Sequence, residues 1–180
     1  MNRRTGRKVA VIMTIAIATI TATTATLYFG GYRFNHTTSL PMGIYRLNSE
    51  SVSRGKIVIY CPDTRKAFTM ALNRLFIAKG NCPNGTEPLF KPIAAMPGDT
   101  VNVSASGLSV NGVLLHNTMA KQKDGMGRPM PVMQAGEYVV KPGQVWLAST
   151  YNPQSFDSRY FGAVALKDVR GVMNPVWVEK

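Results

Sequence analysis

Three short stretches carry side chains from which a reaction could be built. Ser39 lies in Thr37-Thr38-Ser39-Leu40-Pro41-Met42-Gly43-Ile44-Tyr45. Pro41 fixes its own φ and biases Leu40 toward an extended backbone, and Gly43 permits a turn that a side chain would obstruct. A serine ahead of so rigid a kink can present its Oγ without a helix or strand around it. Lys91 opens Lys91-Pro92-Ile93-Ala94-Ala95-Met96-Pro97-Gly98-Asp99, and Ser155, Asp157 and Arg159 belong to Ser155-Phe156-Asp157-Ser158-Arg159-Tyr160-Phe161-Gly162. A serine hydroxyl is a poor nucleophile until a base takes its proton. Of the two histidines, His36 is too near Ser39 in sequence to be the usual remote base, and His116 reads as a surface residue at a strand end. No Ser-His-Asp order is recognisable. Lysine can serve instead when apolar surroundings destabilise its ammonium, and Lys91 is flanked by Leu89, Phe90, Pro92 and Ile93. Each of these residues also has a plainer reading: Ser39 and Thr37 in a loop, Lys91 in solvent, Ser155 in a turn, Asp157 with Arg159 as a surface pair.

The elements that must hold these residues begin with a membrane anchor. Arg3, Arg4, Arg7 and Lys8 precede an uncharged stretch, residues 9–29. Its 21 residues, at about 1.5 Å each, just cross a hydrocarbon core of about 30 Å. Six threonines interrupt it, a tolerable cost because a helical Thr can bond back to the preceding turn. The positive flank predicts a cytoplasmic N-terminus and an exported remainder. A cleaved signal peptide competes with this reading, but Gly30-Gly31 is a poor cleavage site. Residues 1–8 are thus expected in the cytoplasm, 9–31 as a retained single-pass anchor, and 32–180 as one exported domain. Ser39 lies ten residues past Phe29, so even an extended chain keeps it within about 35 Å of the span.

The net charge of +12 is high, but the basic residues are scattered and form no nucleic-acid-binding signature. The lipid bilayer, with its anionic headgroups, is the expected partner of that charge, and no nucleic acid is expected. Cys61 and Cys82 are the two cysteines. On an exported domain they most simply form one disulfide, and further ligands at metal spacing are missing. Between them, Phe68, Ala71, Leu72, Leu75 and Phe76 recur at helical spacing. A short helix is expected there, with Asp63 or Thr64 capping its start, Gly80 its end, and the bridge stapling the two ends. Loop closure of this size stabilises by about 3 kcal/mol in the entropic account.

The rest reads as many short strands. Arg54-Gly55-Lys56 turns into residues 57–60, and residues 90–95 make a strand that Pro97-Gly98-Asp99 ends. Val101, Val103, Leu108, Val110, Val113 and Leu115 mark further strands, with Asn111-Gly112 as a hairpin turn. Residues 121–133 read as a mobile surface loop. Residues 137–140 and 145–148 are two more strands, and residues 172–178 end the sheet with Pro175 at an edge. The class is mainly β, an antiparallel sheet with one N-terminal transmembrane helix and a short disulfide-bracketed helix.

In this order, after one span, the three stretches resemble the boxes of the signal peptidase family of serine–lysine proteases. These boxes are the serine before Leu-Pro, the lysine before Pro-Gly-Asp, and Ser-x-Asp-Ser-Arg-Tyr-aromatic-Gly. The form Ser-Leu-Pro-x-Gly-Ile-Tyr is similar to the conjugative-transfer, TraF-type subgroup that processes pilins. The resemblance implies Ser39 as nucleophile and Lys91 as general base. It implies the Ser39 N–H and the Thr37 hydroxyl as oxyanion donors, Ser155 as orienter of the lysine, and Asp157–Arg159 as a supporting ion pair. It implies a pilin or other secreted precursor as substrate, other conjugation-apparatus proteins as partners, and no cofactor. The catalytic domain would then be periplasmic, anchored in the inner membrane. General signal peptidases carry Gly-Asp-Asn-Arg-Asp-Asn where this chain has Ser149-Thr150-Tyr151-Asn152-Pro153-Gln154. That departure favours the specialised subgroup over a general signal peptidase. A non-catalytic assembly scaffold on the same fold is the remaining alternative.

Overall fold

A computed structural model of the chain describes residues 3–179. Helix α1 runs Arg3–Phe29. Its stretch Gly6–Phe29 is long and apolar enough to cross a membrane, with mean hydropathy 1.8 and none of it buried in the protein. Thr14, Thr19, Thr24 and Thr26 each donate to the carbonyl four residues back, the bond that lets so many threonines stay in an apolar helix. Arg33 closes the far end, donating to the Tyr28 carbonyl at 2.7 Å with its guanidinium stacked over the Tyr28 ring.

The strands follow as β1 (Tyr32–Asn35), β2 (Gly43–Asn48) and β3 (Ile57–Tyr60), then helix α2 (Lys66–Asn73). Next come β4 (Leu89–Ala95), β5 (Thr100–Ser104), β6 (Gly107–Val110), β7 (Val113–Leu114), β8 (Gly136–Val139) and β9 (Gln144–Leu147). Helix α3 (Ser158–Phe161), β10 (Val164–Ala165) and β11 (Val169–Val178) complete the order. Seven strands pair antiparallel in the order β1-β2-β11-β3-β4-β9-β10, and four more in the order β7-β6-β5-β8. The mainly antiparallel β class read from the turn signals is the observed one. The larger core lies between the seven-stranded sheet and α2–α3, around Val58, Phe68, Ile93, Leu147, Phe161 and Val172. The smaller sheet closes over its own cluster around Val101, Leu108, Val110 and Trp146. Asn111 and Gly112 both take positive φ, +50° and +82°, as a two-residue hairpin between β6 and β7 requires.

Several local expectations are corrected. Helix α2 is shorter than the apolar spacing implied and starts without a side-chain cap. Asp63 instead accepts from the Arg65 N–H and side chain just ahead of it. The helix ends at a Schellman turn, not at Gly80. Leu75 takes φ +61°, Phe76 N–H bonds Ala71 O, and Leu75 N–H bonds Leu72 O. That turn throws Leu75 outward to 87% exposure, so it leaves the buried face. Gly80 serves a close approach: a Cβ there would stand 2.6 Å from the Glu87 Cα. Residues 121–133 carry no regular strand, but they are tied down. Asp124 pairs with Arg74 and Arg128, and Met130 and Val132 pack on the main core. Pro175 is not on an edge strand, since β11 lies between β2 and β3. It is tolerated because β3 pairs β11 only as far as Met173, and a register shift follows at Pro175/Trp177. The Cys61–Cys82 disulfide forms and brackets α2, as the cysteine count implied.

Candidate active site

Lys91 sits in the middle of β4, whose side chains alternate strictly between buried and half-buried. Leu89, Ile93 and Ala95 share its buried row. The register places Lys91 opposite Val58 of β3, and Lys91 is 4% exposed. A lysine therefore occupies a position where the period-2 pattern calls for an apolar side chain. Burial pushes its pKa down to about 8. Asp157 acts to raise it and Arg159 to lower it, both less strongly than burial.

Ser39 comes from the turn between β1 and β2, and Lys91 Nζ donates a hydrogen bond to its Oγ. The same nitrogen reaches Ser155 Oγ at 3.1 Å, and Ser155 Oγ is 3.3 Å from Ser39 Oγ. Two of the sequence-predicted serines, Ser39 and Ser155, thus converge on the Lys91 nitrogen. The two histidines do not join them. His36 Nε2 faces Glu87 Oε1 at 3.5 Å, and His116 is exposed.

Asp157 and Arg159 are both fully buried, which excludes the reading as a surface pair. Arg159 Nε and Nη2 grip the two carboxylate oxygens at 2.8 and 2.9 Å. Asp157 also caps α3 by accepting from the Arg159 N–H. The remaining donors of Arg159 go to the carbonyls of Asn117, Pro153 and Ser149, and Asp157 accepts from the Ser149 N–H. Every polar atom of the pair has a partner, as a buried pair needs. Together the two residues fix Ser149.

Thr37 is half-buried at the start of the Ser39 turn. Its hydroxyl donates to Asn35 Oδ1 at 2.8 Å, so its one proton is engaged in this arrangement. The Ser39 N–H has no hydrogen-bond partner among the described residues.

Three residues that sequence reasoning passed over hold the turn in place. Asn35, 1% exposed, donates to the carbonyls of Thr37, Leu40 and Pro41 and accepts from the Thr37 N–H. Asn152 Nδ2 donates to the Thr38 carbonyl, and Ser149 Oγ to the Ser39 carbonyl. With the Tyr45 hydroxyl on Pro41 O, all five carbonyls from Thr37 to Pro41 are bonded. One signal for Asn35 was available: an Asn two residues ahead of Thr37 is an Asx-turn former. Ser149 and Asn152 lie where the chain departs from the family pattern, and no motif pointed to them.

A cavity of about 630 Å³ opens beside Ser39 and Lys91. Phe90, Phe156, Tyr160 and Met130 give it an apolar wall, and Glu87 and Lys121 line it as charged groups. No group of three or more His, Cys, Asp or Glu among the described residues is placed to hold a metal. The arrangement can take a proton from a serine hydroxyl into a buried amine whose pKa burial has lowered, beside an open cavity.

The comparisons with known proteins meet this geometry. The family description "signal peptidase, peptidase S26" matches residues 4–178. A plasmid transfer protein TraF of Escherichia coli is 36% identical over 149 residues, covering 83% of this chain and 84% of that protein. A probable conjugal transfer protein TraF of Sinorhizobium fredii is 32% identical over 177 residues, covering 97% of this chain and 92% of that protein. A solved signal peptidase I of Enterococcus faecalis matches at 19% identity and a TM-score of 0.40, over 69% of this chain and 98% of that one. With nearly its whole described length inside the family pattern, the chain belongs to the signal peptidase family, peptidase S26.

Proposed function

We propose that the protein is a membrane-anchored serine endopeptidase that uses a Ser39–Lys91 dyad to process a pilin or other secreted precursor for conjugative transfer. The observation that carries this reading is the hydrogen bond from a buried Lys91 Nζ to Ser39 Oγ beside an open groove. Neutral Lys91 takes the Ser39 proton as Oγ attacks the scissile carbonyl. The oxyanion accepts from the Ser39 N–H and from the Thr37 hydroxyl, which exchanges its bond to Asn35 for one to the new charge. Lys91 then hands the proton to the leaving amine, and an acyl-enzyme remains. Ser155 keeps Lys91 Nζ aimed at the nucleophile, and the Asp157–Arg159 pair supports the platform behind both.

In this reading residues 1–8 are cytoplasmic, 9–31 cross the inner membrane once, and 32–180 form a periplasmic peptidase domain. The resolution of the acyl-enzyme decides the product. Water gives a linear mature chain, whereas the substrate's own amine gives a ring. The relatives' names, both proteins of plasmid or conjugal transfer, favour the specialised substrate over a general preprotein.

The test is to incubate the detergent-solubilised full chain with a co-expressed pilin precursor and weigh the product. Cleavage that Ser39→Ala and Lys91→Ala abolish supports the reading, and a product one water lighter than the linear mature chain means ring closure. Unchanged processing by both variants would mark the protein as a scaffold. Lethality of Ser39→Ala in cells, in place of loss of conjugation alone, would point to a general signal peptidase.

A further inference from the structure

We infer that Asn152 is a positioning residue that aims the Ser39 backbone N–H at the site where an oxyanion forms. The inference rests on the reading of Ser39 as nucleophile. A trans peptide is planar, with its C=O and N–H on opposite sides of the chain. The Thr38 carbonyl and the Ser39 N–H belong to one such plane, and no peptide bond among the described residues is cis. Fixing the carbonyl therefore fixes the direction of the N–H. Asn152 Nδ2 fixes it, donating to Thr38 O at 3.0 Å and to Thr38 Oγ1 at 3.0 Å.

The amide of Asn152 is itself held. Its Oδ1 accepts from the Gln154 N–H at 2.8 Å, and its backbone N–H donates to Ser149 Oγ at 3.3 Å. Ser149 in turn is held at both ends by the buried Asp157–Arg159 pair and donates its hydroxyl to the Ser39 carbonyl. The two peptide planes that flank the nucleophile are thus both anchored to residues 149–152, one by Asn152 and one by Ser149. The Ser39 N–H, on the side away from Asn152, has no partner among the described residues, as a donor kept for a transient charge requires. Residues 149–154 are where this chain departs from the general signal peptidase pattern, Gly-Asp-Asn-Arg-Asp-Asn.

The probe is p-nitrophenyl acetate with the full chain in detergent. In the acylation step the bond from Ser39 Oγ to the acetyl carbon forms and the ester C–O bond breaks. The Ser39 proton moves to Lys91, and p-nitrophenolate leaves. The readouts are the burst of p-nitrophenolate, its dependence on probe concentration and on pH, and peptide mapping of the acetyl group. Asn152→Ala and the isosteric Asn152→Asp, which still accepts from Gln154 but cannot donate to Thr38 O, are expected to slow acylation about tenfold or more. Half-saturation by the probe is expected to stay where it is in the wild type, and so is the pH of the acid limb in Asn152→Ala. Asn152→Asp adds a carboxylate near Lys91 that can move the acid limb by charge alone, so its rate is compared on the alkaline plateau. If Asn152→Ala also lowers the melting temperature, Asn152→Asp separates folding from aim. Acylation within twofold of wild type in both variants overturns the inference, as does a loss confined to half-saturation or, in Asn152→Ala, to a shifted acid limb. If the wild type is acetylated elsewhere than Ser39, or not at all, the nucleophile reading and this inference fall together. Acetylation at Ser39 that ignores Asn152 sinks the inference alone.

Discussion

The turn that presents Ser39 and the strand that presents Lys91 meet at one hydrogen bond, yet they are held there by different means. Lys91 is carried by β4, whose ladders to β3 and β9 and whose apolar row fix its backbone regardless of what its amine does. Ser39 sits on a turn outside any strand, positioned by the side chains of Asn35, Tyr45, Ser149 and Asn152 bonding its flanking carbonyls. A lysine proposed as base needs a dry place that lowers its pKa, and a packed strand supplies that. A serine proposed as nucleophile needs a fixed direction while remaining open to substrate, and burial cannot supply that without closing the groove. A polar clamp from the protein side can.

The largest expected effect tests whether the two regions act as one unit. Ser39→Ala and Lys91→Ala should each lower the rate of precursor cleavage by on the order of 10⁴-fold or more, and the double variant by little beyond either single one. Cleavage rates from time courses check this, and additive losses would mean that the two residues do not share a step. In the wild type the rate should climb as pH rises through about 8, where Lys91 loses its proton. A profile flat well below neutrality would break the assignment of the base.

Next in size is the platform behind both regions. Asp157→Asn leaves Arg159 buried with its charge uncompensated, which costs about 3–5 kcal/mol of stability. Chemical denaturation measures that loss. A loss below about 1 kcal/mol would mean that the pair behaves like one on the surface.

The two regions should then respond with opposite sign to loss of a polar group. In the fold Lys91 has a pKa of about 8, against 10.5 for a free side chain. Between those values the unfolded chain holds a proton that the folded chain does not, so stability rises with pH across that window. Below pH 8 both states hold the proton and the full penalty of burying the ammonium applies, up to about 3 kcal/mol. Lys91→Met removes that penalty. It should be more stable than wild type at pH 6, with the gain shrinking as pH approaches 10. Denaturation midpoints at the two pH values check it, and a pH-independent difference would refute burial as the cause.

How much of this could be read in the chain follows the same division. Ser39, Lys91, Ser155, Asp157 and Arg159 were legible because a family motif marks them, and Lys91 also stands among the apolar residues Leu89, Phe90, Pro92 and Ile93. The antiparallel class was legible because turn signals such as Asn111-Gly112 are local. The clamp was not. Asn152 and Thr38 are far apart in sequence, and nothing in either residue says that a hydrogen bond joins them. The position of β11 between β2 and β3 was hidden for a similar reason: a C-terminal strand carrying Pro175 reads as an edge, and only the early end of β3 makes its place inside the sheet tolerable. The end of α2 was misread because Leu75 takes a left-handed conformation that glycine more often occupies.

The smallest expected effect sharpens the comparison most. Asn35 is as buried as an apolar core residue, so a rule of burial alone predicts that Asn35→Leu is harmless or helpful, as Lys91→Met should be. The clamp predicts the reverse. Leucine would leave the buried carbonyl of Leu40 and the carbonyls of Thr37 and Pro41 without the amide that bonds them, and would release the Thr37 hydroxyl. The carbonyl of Pro41 keeps the Tyr45 hydroxyl, so the loss is partial. Unmade buried bonds of this kind cost about 1–3 kcal/mol, and the turn that they order carries Ser39. Asn35→Leu should therefore lose about 2 kcal/mol of stability with little dependence on pH. Its cleavage rate should fall more than its apparent affinity for the precursor, because the groove wall remains while the aim of Ser39 is lost. Denaturation at pH 6 and pH 9 together with a kcat and KM determination separates the two rules, and an Asn35→Leu variant as stable as wild type would show that packing, not the amide, holds the turn.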